Sequence, residues 1–202
     1  MARAINGNKS VHAVVLDFGK AFDKVPHQSL LQKLWYYGIH GSLFNWFESF
    51  LQERFQTVVC EGKSSQPVPV TSGVPQVTVL GPLLFHVYIN DLPDGLSSNV
   101  RLFADDALVY GIIVGGTECQ QLQNDLIKLE QWQLKWQMEF NPTKCKVIRI
   151  STKKSERNEI YMFCGKQLEQ VTSILYLGLT VTDKLRWSDH ISEISNKAGK
   201  TL

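Results

Sequence analysis

The chain has 202 residues, with 21 Lys and Arg against 19 Asp and Glu, a formal net charge of +2 at pH 7. A hydrophobic fraction of 44% with 20% charged residues belongs to a chain that packs a core, and it excludes the low-hydrophobicity, high-charge composition of disorder. So small a net charge confers no general attraction for nucleic acid, and any such function must come from a local site.

Residues 11–17, Val-His-Ala-Val-Val-Leu-Asp, form a β-branched run that ends in a carboxylate, the pattern of a buried strand delivering a functional group at its tip. After Pro26, Leu30, Leu31, Leu34 and Tyr37 recur at helical spacing and Gly38 supplies a C-cap,. Ser42 opens a second helical stretch through Leu43, Phe44, Phe47, Phe50 and Leu51. Phe55 to Cys60 reads as a strand, Gly62 to Ser65 as a turn and Pro67 to Thr71 as an extended edge, together a hairpin,. Val79 to Tyr88 is apolar enough for a buried helix with Pro82 in its first turn, stopped at Asn90-Asp91-Leu92-Pro93,. Val100 to Ala104 and Ala107 to Tyr110 flank Asp105-Asp106, which predicts a tight hairpin with both acids at its turn,.

Thr117-Glu-Cys-Gln120 has the form of a capping box, and Leu122, Leu126, Leu129 and Trp136 continue an apolar stripe,. On that stripe Trp132 and Trp136 read as core residues. Lys144 to Ser151 and Ile160 to Cys164 read as strands around a charged turn, Leu175 to Val181 as one further strand, and Ser188 to Ala198 as an amphipathic helix. Strands and helices in this order imply an α+β fold rich in antiparallel pairing. The cysteines Cys60, Cys119, Cys145 and Cys164 lack C-x-x-C spacing and point to neither zinc nor disulfides,. The longest apolar runs fall short of the ~20 residues that span a bilayer, and the N-terminus lacks the apolar stretch of a secretory signal,. The expectation is an intracellular protein, of cytoplasm or nucleus, neither secreted nor bound to membrane.

The arrangement with most chemical content is one Asp at a strand end and an adjacent Asp pair on a hairpin. Carboxylate oxygens suit hard divalent cations such as Mg2+, and two such ions stabilise both attacking and leaving oxygens in phosphoryl transfer. Successive strand side chains face opposite ways, so Asp105 and Asp106 are not equivalent ligands unless the turn re-aims one. Asp105 is the expected principal partner of Asp17, with Asp106 supporting. By residue type and spacing alone, Asp-Asp is more simply turn chemistry and Asp17 a strand terminator or N-cap.

The flanking words add specificity. Leu16-Asp-Phe-Gly-Lys-Ala-Phe-Asp-Lys-Val25, Ser72-Gly-Val-Pro-Gln76, Val79-Leu-Gly-Pro82, Tyr88-Ile-Asn-Asp-Leu-Pro93, Phe103-Ala-Asp-Asp106 and Tyr176-Leu-Gly178 follow in this order. Together they resemble the reverse transcriptase domain of non-LTR (LINE-type) retrotransposons, from about Val11 to the C-terminus. The resemblance implies a fingers/palm polymerase fold with an antiparallel palm sheet and incomplete fingers and thumb. Residues 1–186 would be the fingers/palm fragment and 187–202 the start of a thumb-like helix, a copy truncated at both ends.

It also implies roles. Asp17, Asp105 and Asp106 become the carboxylates that hold two Mg2+ ions, with Mn2+ as a substitute, for attack of a primer 3′-OH on a dNTP. Phe22, beneath the sugar, would reject ribonucleotides, and Gln76 and Phe18 would contact the substrate. Lys144 would protonate the leaving pyrophosphate, Lys20 is a candidate phosphate contact, and Tyr176, Leu177 and Gly178 would grip the primer. The partners would be an RNA template, a DNA primer and dNTP. The family has Gly where this chain has Val77, which predicts poor catalysis, either through a strained backbone or through methyls in space that glycine leaves free. A non-catalytic nucleic-acid-binding remnant is the alternative.

Overall fold

The structure is a computed structural model that describes residues 9–151 and 159–200. The charged turn expected after Ser151 and the N-terminal segment before Lys9 lie outside the described residues. The chain divides into two compact units, one built from residues up to Asp17, 95–131 and 140 onward, the other from 18–94 and 132–139.

The first unit is organised on β1 (Ser10–Asp17). It lies between β7 (Asp106–Ile113) and β8 (Lys146–Ile150), antiparallel to both, in a five-stranded sheet. β6 (Asn99–Phe103) closes one edge against β7, and β11 (Glu169–Val171) runs parallel to β8 at the other. β1 is central, so its side chains are buried on both faces from Ser10 to Val14, which is why the run shows no polar alternation. Val11 and Ala13 of β1 and Ile148 and Ile150 of β8 form one apolar cluster, joined by Leu108 and Tyr110 of β7. A second hairpin, β12 (Ser173–Tyr176) and β13 (Leu179–Thr182), packs Ile174 and Val181 against the same cluster.

α4 (Gly116–Trp136) begins in this unit and buries Cys119, Leu122, Leu126 and Leu129. Its N-terminus differs from the expected box: Glu118 accepts from the Gly115 N–H at 2.7 Å, so the capping frame starts at Gly115 and Thr117 lies inside the helix. Buried Asp125 accepts from the N–H groups of Ser97 and Ser98, and Gln123 exchanges two hydrogen bonds with the Met162 backbone of β9 (Met162–Phe163). β9 pairs with β10 (Lys166–Gln167). α5 (Trp187–Gly199) follows, with none of its residues buried.

The second unit packs α1 (His27–Tyr36), α2 (Gly41–Leu51) and α3 (Leu80–Ile89) around Leu30, Leu34, Leu51, Leu84 and Phe85. The expected hairpin between α2 and α3 is a nested ribbon. β2 (Phe55–Gln56) pairs with β5 (Val68–Pro69), and β3 (Val59–Cys60) pairs with β4 (Lys63–Ser64) inside it. Lys33 of α1 is buried at 3% exposure. Its ammonium bonds the Tyr88 carbonyl, meets Asp91 Oδ1 at 2.5 Å and lies 3.8 Å from the Trp136 ring centre. Trp132 also donates to Asp91, at 3.0 Å, so both tryptophans, half-buried, wall a cation and are not simple core residues. Burial pulls Lys33 down to about 8 despite Asp91.

Gly81, at the second position of α3, is fixed by contact: a Cβ there would lie 2.0 Å from the Pro75 carbonyl oxygen. Gly81→Ala is expected to destabilise the fold by at least ~3 kcal/mol, because the obstacle is backbone that cannot rotate aside. Thermal denaturation of the variant beside the parent checks this.

Candidate active site

Pairing of β1 with β7 places Asp17 directly opposite Asp106. β6 and β7 close at the pair Phe103 and Asp106, so the two-residue turn is Ala104-Asp105, with Ala104 at φ +50°. The expected turn at Asp105-Asp106 is therefore corrected by one residue. The physical reason is burial: Ala107 and Val109 are fully buried, and a one-residue slip would turn both to the opposite face. The consequence is that Asp106 is the residue paired across from Asp17, while Asp105 is exposed on the turn.

Asp17 and Asp106 share the sheet face of Ala13, Leu108 and Tyr110 by strand alternation. Burial, followed by the charges of Asp105 and Asp17, pushes the Asp106 carboxyl above its ordinary value. Burial and the Asp106 charge likewise raise the Tyr176 phenol, opposed by Arg101, so the Tyr176 hairpin borders the acidic group. The sequence predicts one strand over this segment. It is a hairpin whose turn is Leu177-Gly178, at φ +49° and +78°, the two positive-φ residues that a tight hairpin demands.

On the opposite side of β1, the Asn141 N–H donates to the Asp17 carbonyl at 2.7 Å, and Lys144 Nζ stands 3.6 Å from Asp17 Oδ1. That oxygen is closed to solvent and has no hydrogen-bond partner. Cys145 is buried beneath the same residue, and burial pushes its thiol up to about 11.

The donor set suits a hard divalent cation, which would satisfy the orphaned Oδ1 and relieve the repulsion felt by Asp106. Among the described residues no three His, Cys, Asp or Glu side chains close around an ion by themselves. Water and substrate phosphate would complete the shell, as is usual for Mg2+.

In the second unit, Phe22 stacks on Phe85 with ring centres 4.6 Å apart and is half-buried. Phe18, at 4% exposure, packs edge-on to Phe85 and against Trp132, so its ring faces the core. The loop from Ser72 to Gly81 is laid against the Phe22–Asp23 turn. The Val74 N–H donates to the Phe22 carbonyl (2.7 Å), the Gly73 N–H to the Val25 carbonyl (2.8 Å) and the Gln76 amide to Asp23 Oδ1 (2.8 Å). Gly73 has φ +90°, and a Cβ on it would lie 2.9 Å from Asp23 backbone. Gln76 and Asp23 edge an open cavity of about 600 Å3 whose cations are Lys20 and Arg54. Arg54 was not singled out from sequence, since only the ribbon closing back on itself brings it to the cavity. Val77, next in the loop, has φ +58° with its side chain wholly in solvent. The strain expected at this position is present, whereas crowding by its methyls within the chain is not.

The fold is similar to that of solved telomerase structures. Telomerase from Candida tropicalis in complex with a fragment of telomeric RNA aligns over 89% of this chain and 30% of its own, with a TM-score of 0.56 and 10% identity. The apo telomerase aligns over 86%, at 0.54. The chain belongs to the reverse transcriptase (RNA-dependent DNA polymerase) family, whose profile matches residues 2–181. The RNA-directed DNA polymerase from mobile element jockey of Drosophila melanogaster is 31% identical over 89% of this chain. The probable RNA-directed DNA polymerase from transposon BS of the same species is 28% identical over 96%. The chain spans about a fifth of the length of these relatives. The resemblance to non-LTR retrotransposon reverse transcriptases is thus borne out. Among the described residues no helix is long and apolar enough to cross a membrane.

Asp106 yields a stability test with a defined sign. Its folded-state pKa is raised, so its contribution is most favourable below the unfolded carboxylate range and is lost as pH rises through the folded value. Asp106→Asn is therefore expected to be more stable than the parent at pH 7, by at most ~1 kcal/mol after solvent screening. The difference should vanish in acid below the carboxylate range, as thermal denaturation at the two pH values will read.

Proposed function

We propose that this chain carries the catalytic core of an RNA-directed DNA polymerase, joining a dNTP to a primer 3′-OH on an RNA template. The observation that carries this reading is the Asp17–Asp106 pair, with Asp105 on the adjoining turn and one carboxylate oxygen left without a donor.

Asp17, Asp106 and Asp105 would hold Mg2+, which supplies Lewis-acid stabilisation of the attacking and departing oxygens. Lys20 and Arg54 attract the triphosphate to their cavity, with guanidinium geometry favouring a phosphate oxygen pair. Gln76, its amide held by Asp23, keeps its carbonyl oxygen for a sugar or base edge. Phe22, braced by Phe85, fills the volume that a 2′-OH would need, and Phe18 acts through the core behind it. Tyr176 with Leu177 and Gly178 presents a rigid hairpin to the primer end. Lys144 is suited to give a proton to leaving pyrophosphate. In domain terms, residues 1–186 supply fingers and palm, and 187–202 begin a thumb-like helix.

The test is extension of a DNA primer on an RNA template with dNTPs and Mg2+. The parent extends it, Asp17→Asn loses at least ~10³-fold of the rate, the scale of one transition-state charge interaction, and a parent without template-dependent extension refutes the reading.

The strain at Val77 favours one second reading, a copy that binds nucleic acid with little turnover. A β-branched residue at positive φ costs about 1–3 kcal/mol. Val77→Gly is expected to stabilise the fold by ~1 kcal/mol, after the extra chain entropy of glycine, and to raise the extension rate about tenfold. Filter binding without extension in both forms would select the remnant.

A further inference from the structure

The ion pair of Lys144 with Asp17 has unusual terms. At 3.6 Å it is longer than a hydrogen bond, and the lysine side chain is 64% exposed, yet the oxygen it faces is closed to solvent and accepts no hydrogen bond. Among the described residues Lys144 is the cation that reaches this carboxylate, and it does so opposite the like-charged Asp106. The turn that carries Lys144 is built onto β1. The Asn141 N–H holds the Asp17 carbonyl, the Lys144 and Cys145 N–H groups donate to the Asn141 carbonyl at 3.0 and 3.1 Å, and the Asn141 side chain accepts from the Thr143 hydroxyl at 2.6 Å. The backbone beneath Lys144 is therefore fixed beside Asp17, while its four-carbon stem leaves the ammonium free to swing.

We propose that Lys144 is the resident counter-cation of Asp17 and that a divalent ion binding the acidic group displaces it, so the ammonium is released as the ion arrives. This rests on the reading of Asp17, Asp105 and Asp106 as ion-holding. Two cations do not share Oδ1: a divalent ion bonds a carboxylate oxygen directly at ~2.0–2.1 Å, inside the space the ammonium occupies. An exposed pair of this length contributes little, so it yields to a doubly charged ion. The exchange gives the lysine an order of events. It steadies the carboxylates while the ion is absent and is free to meet negative charge on substrate once the ion is present.

A lysine that is merely solvated leaves ion affinity unchanged, whereas a competing one weakens it. The measurement is Mn2+ titration of the full chain, with free Mn2+ read by electron paramagnetic resonance and folding checked by circular dichroism. Lys144→Met is expected to bind Mn2+ roughly two- to fivefold more tightly than the parent, the range of a displaced exposed pair. Lys144→Gln should match it, and Lys144→Arg should stay near the parent. Lys146→Met is the charge control, since Lys146 on the adjacent strand pairs with Glu169; it should leave the affinity unchanged. Binding that requires Asp17 but ignores Lys144, or tightens equally in Lys146→Met, overturns the exchange alone. Binding indifferent to Asp17→Asn overturns both the exchange and the ion-holding reading beneath it.

Discussion

The register that holds two carboxylates opposite one another across one strand pair is the constraint on which the first unit turns. Asp17 and Asp106 are opposed because β1 and β7 are in one register, and that register is set by apolar residues that have no part in chemistry. Val11, Val14, Leu16, Ala107 and Val109 are buried almost completely, so slipping either strand would cost the core several side chains at once. The core thereby forces together two groups that would separate if free. Lys144, Asn141 and the Tyr176 hairpin gather around the place where that cost is felt.

The second unit solves a different problem, the fixing of polar loop atoms. Gly73 and Gly81 let the Ser72–Gly81 loop press on backbone at distances that a Cβ would forbid. The loop's Gln76 and the facing Asp23 then hold one another. Lys33 shows the same economy in the core, since a buried ammonium is tolerable only with its protons accepted by Tyr88 and Asp91 and with aromatic rings around it,. The cavity beside Lys20 and Arg54 is thus lined by groups whose positions are settled before any ligand arrives, which lowers the ordering cost of binding.

Much of this was legible in the residues. The run ending at Asp17, the helices after Pro26 and Ser42, the Leu80–Ile89 helix and the Leu122, Leu126, Leu129 stripe all follow from periodicity and stop signals. Two of the differences share one cause, turn chemistry carried by atypical residues. Ala104 and Leu177 adopt positive φ, a conformation that Asn or Gly would have signalled, so the residues themselves point to one turn a residue late and to unbroken strand at the other. The nested ribbon was hidden because pairs of two residues show no periodicity. The register that sets Asp106 opposite Asp17 was hidden with the first of these turns, and Arg54 with the ribbon. Lys33 gave no signal, since a lysine on a helix reads as solvated until its partners are known.

The central position of β1 has a consequence in time. Its partners β7 and β8 lie about ninety and one hundred and thirty residues further along the chain. During synthesis at ~5–20 residues per second, β1 emerges roughly 5–20 s before the first strand able to pair with it. Throughout that interval an apolar strand with two bare edges is exposed, the kind of segment that seeks edges on other chains. The second unit, whose residues 18–94 are largely contiguous, has most of its sequence available first. Folding of the carboxylate-bearing sheet is therefore a late, long-range event, and β1 needs shielding until the strands that bring Asp17 and Asp106 together are made,.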